Sequence, residues 1–239
     1  MNLRFIGTSH GWPLPGRNCQ SFLLETSEGA YIIDMGAPVI ETLNNENYDL
    51  TKIKAIFITH PHYDHFNGLF HFLSLASWAY LDMDFDVYFS DVQLKDKFNS
   101  LLPPVEGTFR YKTVESGCFY DDGNIKVTSY QNRHIPIEAG LSHSFLIESE
   151  GKKILITGDM NPSLEDFPEY AFSEKVDFMV SECAHFPAEL LLSKLEKVKS
   201  DAIAVVHVFP LDKYDVLKES KNSTINQLTF PNDGDVYKL

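Results

Sequence analysis

Cysteine is scarce in this 239-residue chain: Cys19, Cys118 and Cys183 are odd in number, widely spaced and free of any CxxC pattern. That excludes a disulfide framework and fits a reduced, cytoplasmic protein. Long apolar runs are missing too. No stretch approaches the ~20 apolar residues of a membrane span, and the opening MNLRFIGTSHGWP has no apolar signal-peptide core. No membrane partner is expected. Basic charge is the third shortage, with 20 Lys and Arg against 34 Asp and Glu and a net charge of -14. Such a field repels nucleic-acid backbones unless a local basic patch overrides it. KDK (95–97) is too short for such a patch, and KLEKVK (194–199) is interspersed and reads as a solvated helix face. tRNA and other nucleic acids are disfavoured partners; a small-molecule substrate is expected. Low-complexity segments, linker-like composition and short-period repeats are also absent from the sequence.

What remains is ordinary globular composition, 44% hydrophobic and 23% charged, with length enough for a sizeable core. LRFIGT (3–8), SFLLET (21–26) and AYIIDMG (30–36) read as strands separated by Gly and Pro. KAIFIT (54–59) is nearly continuous in apolar residues, as in a strand buried on both faces. FNGLFHFLSLASWAYL (66–81) predicts a buried helix after Gly68, and another helix is expected around 91–101, before the Pro103–Pro104 break. Strands resume with TFRYKTV, IKVTSYQ and the hairpin SFLIESEGKKILITGD, turning at SEGK. VDFMVSE (176–182) and DAIAVVHVF (201–209) are two more buried strands, with a helix over 188–199 between them. Two β-rich halves echo each other, each ending in strand–helix–strand units whose strands terminate in His or Asp. The expected fold is a single α/β domain, residues 1–239, made from two packed sheets.

FITHPHYDHFNG (57–68) crowds His60, His62, Asp64 and His65 directly after an apolar run. Helical zinc motifs space their histidines four apart on one face. Here His60 and His62 are two apart across Pro61, which forbids a helix interior. The strand should end near Thr59, with all four side chains on the loop beyond it. His60 and His62 could then serve one metal, and Asp64 and His65 a second. Polar loop residues without a ligand role are the competing reading; the pattern HxHxDH after a buried strand weighs against it. Two metals need more ligands, and three strand ends offer them: His134 after SYQNR, Asp159 after ILITG and His207 after AIAVV. A lone strand-end histidine is as often a hydrogen-bonded structural imidazole. All three ends in company with HxHxDH favour ligands.

HPHYDH (60–65), His134, GD (158–159) and His207 resemble the metallo-β-lactamase superfamily, in order and over nearly the whole chain, and Asp34 in IIDMG resembles its first motif. The resemblance implies a four-layer αββα sandwich with a dinuclear site between the sheet edges. It gives His60, His62 and His134 to one metal and Asp64, His65 and His207 to the other, with Asp159 bridging. Asp34 then hydrogen-bonds the ligand loop instead of binding metal. Imidazole and carboxylate ligands without thiolate suit zinc, with manganese or iron as alternatives. Two such ions about 3.5–4 Å apart can hold a bridging hydroxide as nucleophile and clamp a phosphoryl or acyl group.

Within the superfamily, Asp159 in place of Cys separates the chain from secreted β-lactamases, and the intact HxHxDH separates it from flavodiiron-type relatives. His134 sits in NRHIPIEAGLSHSF, not the GHTPG-like context of glyoxalase-II hydrolases. GTSHGWPLPGRNCQSFLLE instead resembles the GTxxGxP…RN opening of ribonuclease Z and related cyclic phosphodiesterases. SECAH (181–185) loosely resembles the HEAT segment of that branch, with Ser181 where its His would stand. Ribonuclease Z carries a long tRNA-gripping arm between its third-motif His and bridging Asp; here a strand hairpin fills that interval. Its last motif continues with Ser and Arg, where this chain reads HVFPLDKY. A small phosphodiester, cyclic forms included, fits better than tRNA.

The expected catalytic set is Asp64, His185 and His10, the two histidines as candidate acids for the leaving group. For His185, just past Glu182, the competing role is capping or surface. His71 and His143 fit core positions on a helix and a strand. Cys19 and Cys183 read as packing residues, Tyr63 as a rim residue, and Phe66, Phe70, Phe72, Trp78, Tyr80 and Phe85 as mostly core; Trp12 could help wall a pocket. The reading is thus a metal-dependent hydrolase, a phosphodiesterase. A thioester or lactone hydrolase with the same metals is the alternative. A non-catalytic metal-bearing binding protein is the alternative of another class. A homodimer stays open, with no residue arguing for it.

Overall fold

The computed structural model describes the chain except Pro13, Ala37, Thr224 and Asn226; Pro13 of the opening motif therefore lies outside the described residues. Two compact units form, Met1–Glu115 with Asn232–Lys238, and Ser116–Pro231 with Leu239. The first contains β1 (Asn2–Gly7), β2 (Ser21–Glu25), β3 (Ala30–Met35), α1 (Val39–Asn45), β4 (Ile53–Phe57), α2 (Tyr63–Ala76), β5 (Phe85–Phe89), α3 (Val92–Leu101) and β6 (Phe109–Thr113). The second contains β7 (Gly117–Asp121), β8 (Lys126–Asn132), β9 (Ser142–Ser149), β10 (Lys152–Ile156), α4 (Tyr170–Ser173), β11 (Val176–Cys183), α5 (Ala188–Leu195), β12 (Ser200–Val208), α6 (Lys213–Ser223) and β13 (Leu228–Thr229). The chain then returns to the first unit as β14 (Val236–Lys238).

Each unit is built on a seven-stranded sheet, ordered β14-β1-β2-β3-β4-β5-β6 in the first and β13-β12-β11-β10-β9-β8-β7 in the second. In the first, pairing is antiparallel from β14 to β3 and parallel from β3 to β6. In the second, it is antiparallel from β7 to β10 and parallel from β10 to β13. The plan is made twice, which is the echo legible in the sequence. β3 and β10 are the corresponding switch strands, and Asp34 and Asp159 lie at or just beyond their C-terminal ends.

All residues of β3, which lies between antiparallel β2 and parallel β4, are buried. On α2 the stripe His65, Leu69, Phe72, Leu73 and Ala76 is buried, and its apolar members join Ile32, Ile56 and Phe85 in the first core. On α5, Ala188, Leu191 and Leu195 pack with Met179 and Ile203 in the second. Each buried Leu or Phe contributes about 1.5–3 kcal/mol.

Helix α2 begins at Tyr63, ahead of Gly68. His62 adopts an extended backbone (φ -84, ψ 142) at the cap, and its carbonyl accepts the first helical bond from His65 N at 3.0 Å. Pro61 thus confines the non-helical stretch to His60–His62. Gly68 is inside the helix because the helix lies against the end of β3: a Cβ there would meet the Gly36 carbonyl oxygen at 2.7 Å. His71 is exposed and pairs with Glu41 at 3.2 Å, so it is not a core residue; it lies off the buried stripe. Phe70 and Trp78 are exposed as well, whereas Phe72, Phe85 and His143 are buried. Strand β7, unmarked in the sequence reading, is a short, half-exposed edge strand. Among the described residues no helix is long and apolar enough to cross a membrane.

Candidate metal centre

In the first unit the site begins with Asp34. Its φ of 55 is left-handed for a non-glycine residue, a conformation that costs of order 1–3 kcal/mol and persists where surroundings enforce it. The enforcement is visible. The buried carboxylate accepts hydrogen bonds from Thr59 N (2.8 Å), Thr59 Oγ1 (2.9 Å) and Gln20 Nε2 (3.0 Å). It also accepts from His65 Nδ1 at 2.8 Å. That bond puts the His65 proton on Nδ1, and Nε2, the candidate ligand nitrogen, lies 3.7 Å from Asp64 Oδ2. The Thr59 hydroxyl donates to Asp34, so it accepts from His60 Nδ1 at 3.0 Å, again leaving Nε2 to face a ligand. The His60 ring sits 4.0 Å from that of His65 and 4.7 Å from that of His62. Gly36 allows this approach, since a Cβ there would meet the Asp64 carbonyl oxygen at 2.5 Å.

The four side chains therefore converge, but not from one loop. His60 lies in the loop after β4, His62 caps α2, and Asp64 and His65 occupy its first turn. The carboxylate of Asp64 suits that position, where the helix dipole is positive. The loop carrying His10 lies against the same cluster: a Cβ on Gly11 would stand 3.2 Å from Asp64 Cγ. His10 is buried and its Nδ1 accepts from Trp12 N at 3.0 Å, which puts its proton on Nε2.

In the second unit, one buried oxygen organises the residues. Asp159 Oδ2 lies 3.4 Å from His207 Nε2, 3.7 Å from His134 Nε2 and 3.8 Å from His185 Nδ1. His134 Nδ1 donates to the Met160 carbonyl at 3.3 Å. His207, near the end of β12, is left-handed like Asp34 (φ 50). The His185 ring stands 4.4 Å from His134 and 5.9 Å from His207.

Glu182, given no role in the sequence reading, is the keystone. It is buried, and it accepts from Met160 N (2.9 Å), Ala184 N (2.8 Å), His185 N (3.2 Å) and His185 Nδ1 (2.9 Å). His185 Nδ1–H is thereby committed to Glu182, so His185 stands beside the ligand cluster and is not part of it.

These spacings fit metal ligands. Hydrogen bonds to nitrogen run about 2.7–3.2 Å, shorter than the contacts around Asp159 Oδ2. Atoms bound at about 2.0–2.2 Å to one ion lie roughly 3–3.5 Å apart, and the His207 and His134 Nε2 atoms lie 3.4 and 3.7 Å from Asp159 Oδ2. Imidazole nitrogen and carboxylate oxygen without sulfur make a donor set for zinc, manganese or iron.

A cavity of about 770 Å³ opens beside His134, lined by Arg133, Ile135, Ile137, Glu138 and Leu141 among others. A second, of about 450 Å³, adjoins His185, Phe186, Pro210 and Lys213.

With this geometry in view, residues 1–237 match the family model described as "Anti-Pycsar protein Apyc1". The chain belongs to that family. Ribonuclease Z of Prochlorococcus marinus (strain MIT 9515) is 32% identical over 129 residues, covering 43% of this chain and 41% of that enzyme. The match thus spans less than half of that relative's length. Among solved structures, the metallo-β-lactamase fold protein YhfI from Bacillus subtilis superposes with a TM-score of 0.82 at 15% identity, covering 99% of both chains. The short form of human tRNase Z gives 0.76 at 19% identity, covering 100% of this chain and 99% of that one. Zn(2+)-bound PqqB from Methylobacterium extorquens gives 0.74 at 12% identity, covering 100% of both. At such identities the likeness is one of fold, and it is the metallo-β-lactamase fold that the motifs implied.

Proposed function

We propose that the protein is a dinuclear metal-dependent hydrolase, a phosphodiesterase acting on a small phosphodiester, cyclic forms included. The observation that carries this reading is the pair of Nε2 atoms, of His207 and His134, that lie 3.4 and 3.7 Å from the buried Asp159 Oδ2. The converging His60, His62, Asp64 and His65 of the first unit support it. By the resemblance of the motifs, His60, His62 and His134 would hold one ion and Asp64, His65 and His207 the other, with Asp159 serving both. Zinc suits the donor set best, with manganese and iron acceptable; the zinc-bound PqqB neighbour supports that choice. When bound, two divalent ions supply an activated water and polarise the phosphoryl oxygens.

The chain's own residues do the rest. Asp34, Thr59 and the Met160 carbonyl take the Nδ1 protons of His65, His60 and His134, so each ring presents Nε2 and is held in orientation. Glu182 holds His185 by Nδ1, leaving Nε2 to protonate the departing oxygen. The cavity beside His134 receives the organic part of the substrate against Ile135, Ile137 and Leu141. Arg133 N donates to the Asp166 carboxylate, but its guanidinium has no carboxylate partner among the described residues, and that fork of donors suits a phosphate. The names ribonuclease Z and tRNase Z support phosphodiester chemistry, while the net charge of -14 favours a small substrate over a long polyanion.

The test is turnover of linear and cyclic phosphodiesters, acyl thioesters and lactones by metal-reconstituted protein. Phosphodiester hydrolysis, lost by about a hundredfold or more in Asp159→Asn and His62→Ala, is expected. Thioester or lactone turnover without phosphodiester turnover selects the alternative hydrolase, and silence across all substrates and metals overturns the reading.

A further inference from the structure

Lys213, in the first turn of α6, directs its ammonium into a single turn of the chain. Nζ donates to the carbonyl oxygens of Cys183 (3.1 Å), Ala184 (2.9 Å) and Phe186 (2.7 Å). An ammonium has three donors, and all are matched here. The N–H groups of the same turn go the other way: those of Ala184 and His185 donate to Glu182 Oε2. The turn that carries His185 is therefore held from two sides by opposite charges, a carboxylate on its N–H groups and an ammonium on its carbonyls. Such charge-assisted bonds are shorter and stronger than neutral ones.

The other end of the clamp is equally placed. Lys213 follows His207 by a short connection, in which Phe209 N donates to Cys183 O at 3.4 Å and Lys213 N to Pro210 O at 3.2 Å. The ammonium thus ties the His185 turn to the segment that leaves His207. Without it, three carbonyl dipoles converge on a point with no positive charge, and the turn must relax. The imidazole riding on it, whose side chain is 31% exposed, is held by Glu182 and lies against the rings of His134 and His207.

We propose that Lys213 is a positioning residue that holds His185 for proton transfer to the leaving group. The inference rests on the phosphodiesterase reading above. In that step a water oxygen forms a new P–O bond as the ester P–O bond cleaves, and the His185 Nε2–H bond breaks as an O–H bond forms on the departing oxygen; the imidazolium becomes neutral imidazole, which is reprotonated by the proton that the attacking water releases. Lys213 takes no part in the transfer; it fixes where Nε2 points.

The experiment compares wild type with Lys213→Met and Lys213→Arg in two ways. The first is the solvent exchange of the His185 Nδ1 proton, followed by NMR on 15N-histidine-labelled protein without substrate. The second is kcat and KM on a phosphodiester with an alkoxide leaving group and on one with p-nitrophenolate, which needs no acid. In Lys213→Met, exchange should quicken about tenfold or more, and kcat on the alkoxide ester should fall about tenfold or more, with KM and bound metal unchanged. The p-nitrophenyl ester should lose less than about twofold, and Lys213→Arg should recover part of both effects. Equal losses on both esters, or unaltered exchange, overturn the proposal. If Lys213→Met does not fold, Lys213→Arg alone must still show the leaving-group-selective loss, or the proposal fails. If the wild type hydrolyses no phosphodiester, the functional reading fails, while the exchange measurement still decides whether Lys213 holds His185.

Discussion

Asp34 Oδ2 and His65 Nδ1 are 2.8 Å apart, and both side chains are fully buried. The pair turns His65 so that only Nε2 can serve a ligand, and the left-handed Asp34 (φ 55) is held there by donors from Thr59 and Gln20. Asp34→Ala should lower metal affinity by about 10- to 100-fold, measured by competition with a chromophoric chelator. Asp34→Asn, whose amide oxygen still accepts from Nδ1, should lose less. Equal affinity in wild type and Asp34→Ala would show that this pair does not serve a metal.

Arg133 lines the cavity beside His134. Arg133→Ala should raise KM about tenfold, the loss of about 1.4 kcal/mol of binding, with kcat within about twofold. An unchanged KM on every hydrolysed phosphodiester would remove Arg133 from the substrate site.

The second unit contains a pH-sensitive pair away from the site. Partial burial alone would raise the Asp177 carboxyl, but hydrogen bonds from Lys152 Nζ and Lys153 N outweigh it and hold the group below its ordinary value. The folded state therefore favours the ionised form. Its stabilisation is complete above the unfolded value of about 3.9 and is lost as pH falls through the lower folded value. The pair is partly exposed, so it is worth about 1 kcal/mol at most. The stability difference between wild type and Asp177→Asn, from urea titrations, should be constant from neutrality to about pH 5 and shrink below about pH 4. A difference that grows in acid would reverse the assigned sign.

Burial pushes the Cys183 thiol up to about 12, the nearby Lys213 offsetting only part of the effect. Cys118 is exposed. At pH 8 a maleimide should label Cys118 in the native protein and Cys183 only on unfolding. As the folded value is raised, Cys183 costs stability only as pH rises past the unfolded value of about 8.5. Equal labelling of the two thiols in native protein would contradict the packing.

Much of the candidate site is legible in sequence because its candidate ligands follow strands whose apolar runs are unmistakable. KAIFIT delivers His60, ILITG delivers Asp159 and AIAVV delivers His207. Pro61 correctly excludes a helical zinc motif, yet it does not say how soon a helix resumes. Asp64 and His65 prove to be helical because His62 caps α2 immediately. The exposure of His71 was available from the stripe His65, Leu69, Phe72 and Leu73, which leaves position 71 on the far face. Glu182 and Lys213 gave no signal of their own: one carboxylate at a strand end and one lysine opening a helix are ordinary, and their roles come from hydrogen bonds that only the folded chain displays.

The most direct test of the central claim is the metal content of protein purified without chelator, by elemental analysis, together with that of His62→Ala and Asp159→Asn. Two divalent ions per wild-type chain, and a loss in each variant with the fold retained, are predicted. Fewer than one ion per wild-type chain, after reconstitution with zinc, manganese and iron in turn, would contradict the dinuclear site.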